Sequence, residues 1–351
     1  MKKSTKSNVI TLGIVVGFYV LIQILSAAGA LTNSFSGQLV PICAYVIMAV
    51  SLNLTVGMLG ELSLGHAGFM SVGAFSGTLV YVVISENAPQ PLALLLAFVV
   101  GGAVAGLFGV LVGIPVLRLS GDYLAIVTLA FGEIVKNVMN ACYLGVDSHG
   151  LHFSLKDSAS LNLEVDGKVL INGAMGITGI KKASTFAIGI VLVIITLLVI
   201  LNLVNSRAGR AIKAIRDNEI AARSVGIPIT KYKLMAFVTS AVFAGVAGYS
   251  SLVAKKFDYN TSILILVFVV LGGIGNLRGS VIAAAVLTVL PELLRSMNDY
   301  RMLIYAIVLI VVMIFNQSPE MIALRKRLTA RFRKEDAEGK GAKDKEKKGV
   351  A

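Results

Sequence analysis

The chain has 351 residues, of which 56% are hydrophobic and only 15% are charged. A soluble domain carries roughly a quarter charged residues, so this composition excludes a protein that mainly faces water. The net charge of +13 indicates a basic protein, but the basic residues cluster at the ends of hydrophobic runs. That distribution is typical of the cytoplasmic loops of a membrane protein and argues against nucleic acid as a partner.

Ten hydrophobic runs follow one another along the chain, each apolar on all sides and separated by short polar breaks. A helix crosses a bilayer with about 20 consecutive apolar residues, and lipid admits only helices or closed barrels. A barrel would require alternating apolar and polar residues, so the runs predict an all-α polytopic membrane protein with about ten transmembrane helices. They cover residues 9–30, 39–58, 66–85, 91–117, 122–142, 185–204, 233–254, 261–276, 280–296 and 301–316.

The first run has two interpretations, because it follows three lysines and ends in Ala28-Gly29-Ala30. This arrangement resembles a signal peptide with its cleavage site. The run is long for a signal peptide, however, and a second run follows at once. The sequence therefore favours a signal anchor that stays in the membrane, with a cleaved signal peptide as the alternative.

The break between the second and third runs is the first polar place at membrane depth. Residues 57–68 contain four glycines together with Glu61, Ser63 and His66. Irregular backbone is tolerated in a membrane where it is buried in protein or lines a cavity. One interpretation is a broken helix in which Ser63 and His66 line a substrate route. The other is a short cytoplasmic turn, and the residues leave both open.

The fifth run carries ionisable residues, which are costly in lipid and indicate function by default. Asp122 and Glu133 are 11 residues apart, so a helix places them on one face and about 16 Å apart along its axis. Lys136 follows three residues after Glu133 and is placed to pair with it. We predict a polar lining of a substrate route by Asp122, Tyr123, Thr128 and Glu133. The alternative is a structural ion pair that joins helices.

Two polar segments lie outside the runs. Residues 143–184 are close to neutral and too short for a ligand-binding domain of their own, so they predict a loop outside the membrane. Residues 317–351 are basic, and after Arg331 almost none of them is apolar. Such a segment cannot bury enough surface to fold, which predicts a disordered cytoplasmic tail after a transmembrane domain of residues 1–316.

The basic residues also predict an orientation. With ten spans, the N-terminal lysines, Arg118, the segment 206–233 and the C-terminal tail all fall on one side of the membrane. The positive-inside rule makes that side cytoplasmic, so both termini are predicted to be cytoplasmic.

The segment 205–232 is the main cytoplasmic loop of this arrangement. From Ser206 to Lys233 it has seven basic and two acidic residues, a net charge of +5. Its helical periodicity predicts a short amphipathic helix that lies on the membrane or docks into a partner's groove. An Ala-Ala pair four residues before a glycine resembles the loop by which ABC-importer permeases contact their ATPases. The candidate coupling residues are Gly209, Arg210, Ala214, Arg216, Ala221, Ala222 and Gly226.

The segment Leu271–Gly279 joins two rather short runs through a glycine-rich stretch, which predicts either a simple turn or a re-entrant element. Neither it nor any other part of the sequence completes the G-x-x-x-x-G-K-[ST] phosphate loop. The chain therefore has no visible nucleotide site, and its three histidines form no metal-spaced cluster.

Six stretches in order give the sequence a specific resemblance. It resembles the branched-chain amino acid permease family of bacterial ABC importers, and the M-type (LivM-like) subunits of that family more than the H-type. One departure is the run Ile171-Asn172-Gly173-Ala174-Met175, where the family often has a more glycine-rich segment; the charged tail is another. The matching stretches are LSLGHAGF (62–69), GDYLAIVTL (121–129), GITGI (176–180), GRAIKAIR (209–216), KLMAFVTSA (233–241) and LGGIGNLRG (271–279).

The resemblance implies a transport subunit of the bacterial inner membrane and not an enzyme. It implies four kinds of partner besides lipid: a second, LivH-like permease, two cytoplasmic ATP-binding subunits and an outside solute-binding protein. The cargo would be leucine, isoleucine, valine or a related small amino acid. ATP would be used by the partner subunits, and this chain would bind no cofactor or metal itself.

A stand-alone carrier driven by an ion or proton gradient is the alternative function. It would use Glu61, His66 and Glu133 as a proton relay. Uptake by this chain alone, insensitive to depletion of ATP, would distinguish it from an ABC permease.

Overall fold

The computed structural model describes residues 3–29, 32–85, 88–118, 121–147, 150–163, 167–173, 184–251, 257–294 and 300–317. The tail from residue 318 lies outside this set, so its predicted disorder concerns residues that are not described. The same holds for residues 176–180, one of the six stretches that carry the resemblance.

Within the described residues, the chain forms twelve α-helices and three short strands. The helices are α1 (Lys3–Ala27), α2 (Asn33–Asn53), α3 (His66–Ser85), α4 (Gln90–Val116), α5 (Asp122–Ala141), α6 (Phe186–Asn205), α7 (Arg207–Asp217), α8 (Glu219–Ser224), α9 (Ile229–Ser251), α10 (Tyr259–Gly272), α11 (Leu277–Leu293) and α12 (Arg301–Gln317). The strands are β1 (Tyr143–Asp147), β2 (Gly150–Ser154) and β3 (Lys168–Asn172). A π-helical segment, Leu54–Leu59, continues α2.

All ten hydrophobic runs contain a helix, which confirms the helical membrane-protein class. Among the described residues, seven helices are long and apolar enough to cross a bilayer, namely α1 to α6 and α9. By contrast, α10 has 14 residues and α11 and α12 have 17 each, whereas a span needs about 20. The predicted count of ten spans is therefore not confirmed.

Residues 1–292 form one unit, and a second unit, which contains α12, begins at residue 293. In the first unit, α1 lies against α6, with the rings of Tyr19 and Phe186 5.5 Å apart. Buried Thr11 of α1 accepts a hydrogen bond from Nε of Arg278 at 2.7 Å. The first hydrophobic run therefore packs against helices that are distant in sequence.

Glycines bring α3, α4 and α9 into backbone contact. A methyl group added at Gly73 would lie 2.2 Å from Cα of Gly245, and one added at Gly248 would lie 1.9 Å from the carbonyl oxygen of Met70. Small residues allow this close approach. The van der Waals contact that results holds helices together in lipid, where the hydrophobic effect does not. A row of glycines on α4 also makes room for side chains of α9: Gly102, Gly106, Gly109 and Gly113.

The segment predicted as an outside loop contains an antiparallel sheet with the strand order β2-β1-β3. Leu170 and Ile171 of β3 are buried against Phe75 of α3, and Leu144 and Val146 pack beside them. The all-α prediction is therefore incomplete for this segment. The three strands have only five residues each, so their apolar residues give too short a pattern to be distinguished from a loop.

Candidate functional site

The break between α2 and α3 is an irregular segment of six residues, 60–65, that follows the π-helical turn. Gly60 ends this turn with a φ of +85°, a conformation that favours glycine. Ser63 and Gly65 are buried, and only Gly60 is fully exposed. The break is thus largely enclosed by protein, which suits the broken-helix interpretation better than an exposed turn.

Thr128 of α5 holds this break. Its hydroxyl accepts a hydrogen bond from the backbone N–H of Leu64 at 3.1 Å and donates one to the carbonyl of Ala125 at 3.0 Å. A methyl group added at Gly65 would lie 2.2 Å from the carbonyl oxygen of Thr128. The start of α5 therefore packs directly on the backbone of the break.

His66, the first residue of α3, is buried and hydrogen-bonded. Its Nε2 lies 2.9 Å from Oγ of Ser51, whose own proton goes to the carbonyl of Met48 at 2.9 Å. Nε2 is therefore the donor, because the Ser51 hydroxyl has no second proton. The carbonyl of Ser51 accepts in turn from the hydroxyl of Ser240 on α9 at 2.6 Å. This network joins α2, α3 and α9.

The other predicted pathway residues lie in different surroundings. Ser63 is buried in the break, and its hydroxyl has no hydrogen-bond partner among the described residues. Tyr123 is 71% exposed and stays away from the buried network. The structure describes only the backbone of Asp122, which begins α5. The structure thus brings Thr128 to the break that contains Ser63 and directly precedes His66, and it does not bring Tyr123 there.

Glu133 forms the predicted ion pair with Lys136. Nζ of Lys136 lies 3.2 Å from Oε2 of Glu133, and both side chains are half-buried. The second carboxylate oxygen, Oε1, is buried and has no partner among the described residues. Glu133 therefore retains one buried acceptor that its ion pair with Lys136 does not use.

Glu133 lines a narrow crevice where α3 and α10 begin and α5 passes. The crevice contains about 170 Å³ of empty space including its mouth, and nowhere is it wide enough for a water molecule. Asp258, which precedes α10, lies on the same crevice and was not foreseen from the sequence. The lining residues are Leu64, Ala67, Gly68, Leu129, Gly132, Glu133, Phe257, Asp258, Tyr259 and Ser262.

The segment predicted to be the cytoplasmic loop forms two short helices, α7 and α8, each with its own cap. Oγ of Ser206 accepts from the N–H of Gly209, and Oδ1 of Asn218 accepts from the N–H of Ala221, at 3.2 and 2.9 Å. Side chains of this kind satisfy the free N–H groups of a first turn. A methyl group at Gly209 would lie 2.3 Å from the carbonyl oxygen of Leu203, so only glycine fits where α7 turns away from α6.

One face of these helices is buried, and the other face is exposed in this chain. Ile212, Ile215 and Ala222 are buried, whereas Ile220 and Val225 are 81% and 76% exposed. The remaining candidate coupling residues are half-buried Ala214, exposed Arg210, Arg216 and Ala221, and Gly226, which has a φ of +82°.

Arg216 joins α7 to the π-helical segment. Its Nη1 donates a hydrogen bond to the carbonyl of Gly57 at 2.8 Å, 159 residues away in sequence. Gly60 and Gly275 lie against its side chain, since a methyl group at either would meet it at 2.6 and 3.6 Å. The two glycine-rich breaks of the sequence therefore meet the predicted coupling loop at one arginine.

Lys233 of α9 makes a second link at the same place. Its Nζ lies 2.6 Å from Oε1 of Glu61 in the break and 3.0 Å from Oε2 of Glu219 in α8. Glu219 also binds Arg223 at 3.1 Å. Lys233 is buried, so its charge depends on these two carboxylates. Neither link was predicted, because the partners are far apart in sequence.

The comparisons with known proteins decide the family. The profile described as branched-chain amino acid transport system / permease component matches residues 34–313. The chain belongs to this family. The match contains every candidate residue of both regions, from Ser63 to Gly226.

Named relatives of this permease family agree with the match. The chain is 35% identical over 289 residues to the high-affinity branched-chain amino acid transport system permease protein LivM of Salmonella typhimurium, and 34% identical over 287 residues to LivM of Escherichia coli. Each alignment covers 77% of this chain and 66% of the relative. The probable permease protein LivH of Methanocaldococcus jannaschii is 26% identical over 255 residues, which is 71% of this chain and 76% of that protein. No solved structure gives a significant match.

Proposed function

We propose that this chain is one of two permease subunits of an ABC importer in a bacterial inner membrane, and that the importer takes up branched-chain amino acids or related small amino acids. Its family and the names of its relatives support this proposal. The observation that carries it is the hydrogen-bonded path from α7 and α8 to the buried break beside α5.

The partners follow from that role. A second, LivH-like permease completes the bundle, two cytoplasmic ATP-binding subunits supply the energy, and an outside solute-binding protein delivers the amino acid. ATP belongs to the partner subunits, and both termini of this chain are cytoplasmic.

Helix α8 carries the features of a docking site for an ATP-binding subunit. Ile220 and Val225 are large apolar side chains that are exposed in the isolated chain. Short helices that present apolar anchors commonly bind in a groove of the partner. Exposed Arg223 beside them adds a positive charge at the rim of this surface.

Movement of the docked helices reaches the membrane interior through two links. Arg216 would carry it to the carbonyl of Gly57, and Lys233 would carry it from Glu219 to Glu61. Both links end in the break, whose backbone is bound by Thr128. A shift of α7 and α8 on ATP binding would therefore move the break relative to α5.

The exposed side of α5 supports a route shared with the second permease. Glu133 and Lys136 are only half-buried in a helix that spans the membrane. Charges that face lipid at this depth are costly. These charges therefore need contact with a second permease subunit or with water. A substrate route that runs along α5 between two subunits would provide both.

The outside sheet supports docking of a solute-binding protein. Phe153 of β2 and Leu155 after it are 61% and 63% exposed. The sheet itself is anchored through Leu170 and Ile171 on α3. A fixed sheet with exposed apolar residues suits contact with a second protein.

The gradient-driven carrier has less support. Its relay would need Glu61 and His66 to exchange protons, yet Glu61 is held by Lys233 at 2.6 Å and His66 by Ser51 at 2.9 Å. Both groups have structural partners that account for their presence.

Uptake of labelled leucine into proteoliposomes tests the proposal. The purified complex is reconstituted with ATP inside, leucine-loaded binding protein outside and no ion gradient. We expect uptake that requires both ATP and the binding protein. Uptake by this chain alone, driven by a proton gradient without ATP, would overturn the proposal in favour of the carrier.

A further inference from the structure

The crevice at the start of α3 and α10 combines charged and apolar residues, and the links made by Arg216 and Lys233 end outside it, at Gly57 and Glu61. Oε1 of Glu133 is buried there without a partner among the described residues. Asp258 lies on the same crevice. Lys136 binds the other oxygen of Glu133 and adds a positive charge beside it.

Asp258 is held in its ionised form by its own neighbours. Burial alone would raise its pKa, but hydrogen bonds from the N–H and hydroxyl of Thr261 and from Asn260, together with the charge of Lys136, lower the pKa below its ordinary value. With Asp258, Glu133 and Lys136 all charged, these three groups together carry a net charge of −1. That excess favours a bound cation such as an ammonium group.

Part of the crevice wall is apolar. Leu64 of the break, Leu129 of α5 and Phe257 before α10 contribute it. A binding site for a small ligand typically has such a wall with a few placed polar groups. The ligand that matches both parts is a zwitterion with a branched or aromatic apolar side chain.

We propose that this crevice is a transit site for an α-amino acid, in which Glu133 and Asp258 hold the α-ammonium, Lys136 faces the α-carboxylate, and Leu64, Leu129 and Phe257 hold the side chain. The inference rests on the proposed function and assigns its substrate a place on this subunit.

The crevice is closed in this structure, and the coupling path explains how it opens. It is nowhere wide enough for water, so its walls must separate before an amino acid enters. Leu64 belongs to the break that Arg216 and Lys233 connect to α7 and α8. Movement of the break would therefore draw one wall of the site away from α5.

The test uses isosteric variants in the complete transporter. Glu133→Gln removes the charge of one carboxylate. Asp258→Asn removes the other but keeps the cap of α10, because asparagine is as good an N-cap as aspartate. Asp157→Asn is the matched control, since Asp157 also accepts from a backbone N–H, that of Ser160 at 2.8 Å, and lies in the outside segment away from the crevice.

The measured quantity is the number of leucine molecules imported per ATP hydrolysed, in proteoliposomes with leucine-loaded binding protein. Each crevice variant should lower this ratio at least about tenfold while stimulation of ATP hydrolysis by the binding protein stays intact, because charge-assisted contacts are strong. The control should keep both. An unchanged ratio, or a parallel loss of uptake and ATP hydrolysis, would overturn the transit site. If the unaltered complex imports no leucine at all, the proposed function fails instead.

Discussion

Arg216 contacts two different parts of the chain through its guanidinium. Nη2 binds the carboxylate of Asp217 next to it at 3.0 Å, and Nη1 binds the carbonyl of Gly57 in the π-helical segment at 2.8 Å. A lysine has one ammonium group and no planar fork with which to hold both partners. Arg216 is therefore suited to connect α7 to the π-helical segment that continues α2.

Arg216→Ala should uncouple ATP hydrolysis from transport. The variant keeps the exposed apolar surface of α8, so we expect the ATP-binding subunits to remain bound while leucine uptake falls at least about tenfold, because a hydrogen bond to a charged group is lost. Arg207→Ala is the control, since Arg207 is exposed at the start of the same helix. Equal loss of uptake in both variants would show that only the positive charge of the loop matters.

Replacement of Lys233 should have a large effect on stability. Lys233 and Glu61 are only 6% and 13% exposed, so Lys233→Met leaves Glu61 as a buried charge without its counter-ion. Removing one partner of a buried pair costs about 3–5 kcal/mol. We expect a lower melting temperature of the detergent-solubilised protein, and partial recovery when Glu61→Gln is added. A melting temperature that stays unchanged in Lys233→Met would contradict the buried link.

The residue pairs show which contacts a sequence can predict. Glu133 and Lys136 lie three residues apart in a helix, so periodicity was enough to pair them, and the structure confirms the pair. The partners of Arg216 and Lys233 are 159 and 172 residues away. Such contacts depend on how the helices pack, and no local pattern specifies that.

At the scale of elements, helices were predictable and the sheet was not. A uniformly apolar run of about 20 residues has only one solution in lipid, which is why each of the ten runs became a helix. The strands depend on packing against Phe75 of α3, which the local pattern does not contain. The break at 60–65 was located from its glycines, but its burial follows from Thr128 on another helix.

Because α3 and α9 are in backbone contact, replacing a glycine with alanine should cost much more stability at this contact than elsewhere. A methyl group at Gly248 would lie 1.9 Å from the backbone oxygen of Met70, whereas one at Gly17 of α1 meets nothing within 4 Å. Gly248→Ala should destabilise the protein by about 1–3 kcal/mol, the usual cost of overpacking. Gly17→Ala should have little effect. Thermal unfolding of the two purified variants measures this, and equal stability would contradict the close packing.

For the whole molecule, we expect two segments to be accessible from opposite sides of the membrane. They are the glycine turn between α10 and α11 and the outside sheet. Gly275 lies beside Arg216 and Gly57, so the turn belongs to the end where α7 and α8 lie. Exposed Ile274 lies in the turn, and exposed Leu155 directly follows β2 of the sheet.

Single cysteines at Ile274 and Leu155 test this arrangement in a background without Cys43 and Cys142. A membrane-impermeant thiol reagent added outside should label Leu155→Cys in intact cells, and Ile274→Cys only in inverted vesicles. Labelling of both from one side would contradict the predicted orientation.

The proposed function requires this chain to work as the membrane subunit of an ATP-driven importer. The most direct measurement is affinity purification from native membranes with a tag on the C-terminal tail, comparing the unaltered chain with Ile220→Glu on α8 and with Phe153→Glu on the outside sheet as control. We expect recovery of a second permease and two ATP-binding subunits, with loss of the ATP-binding subunits only in Ile220→Glu. Recovery of the chain alone, or only with copies of itself, would contradict it.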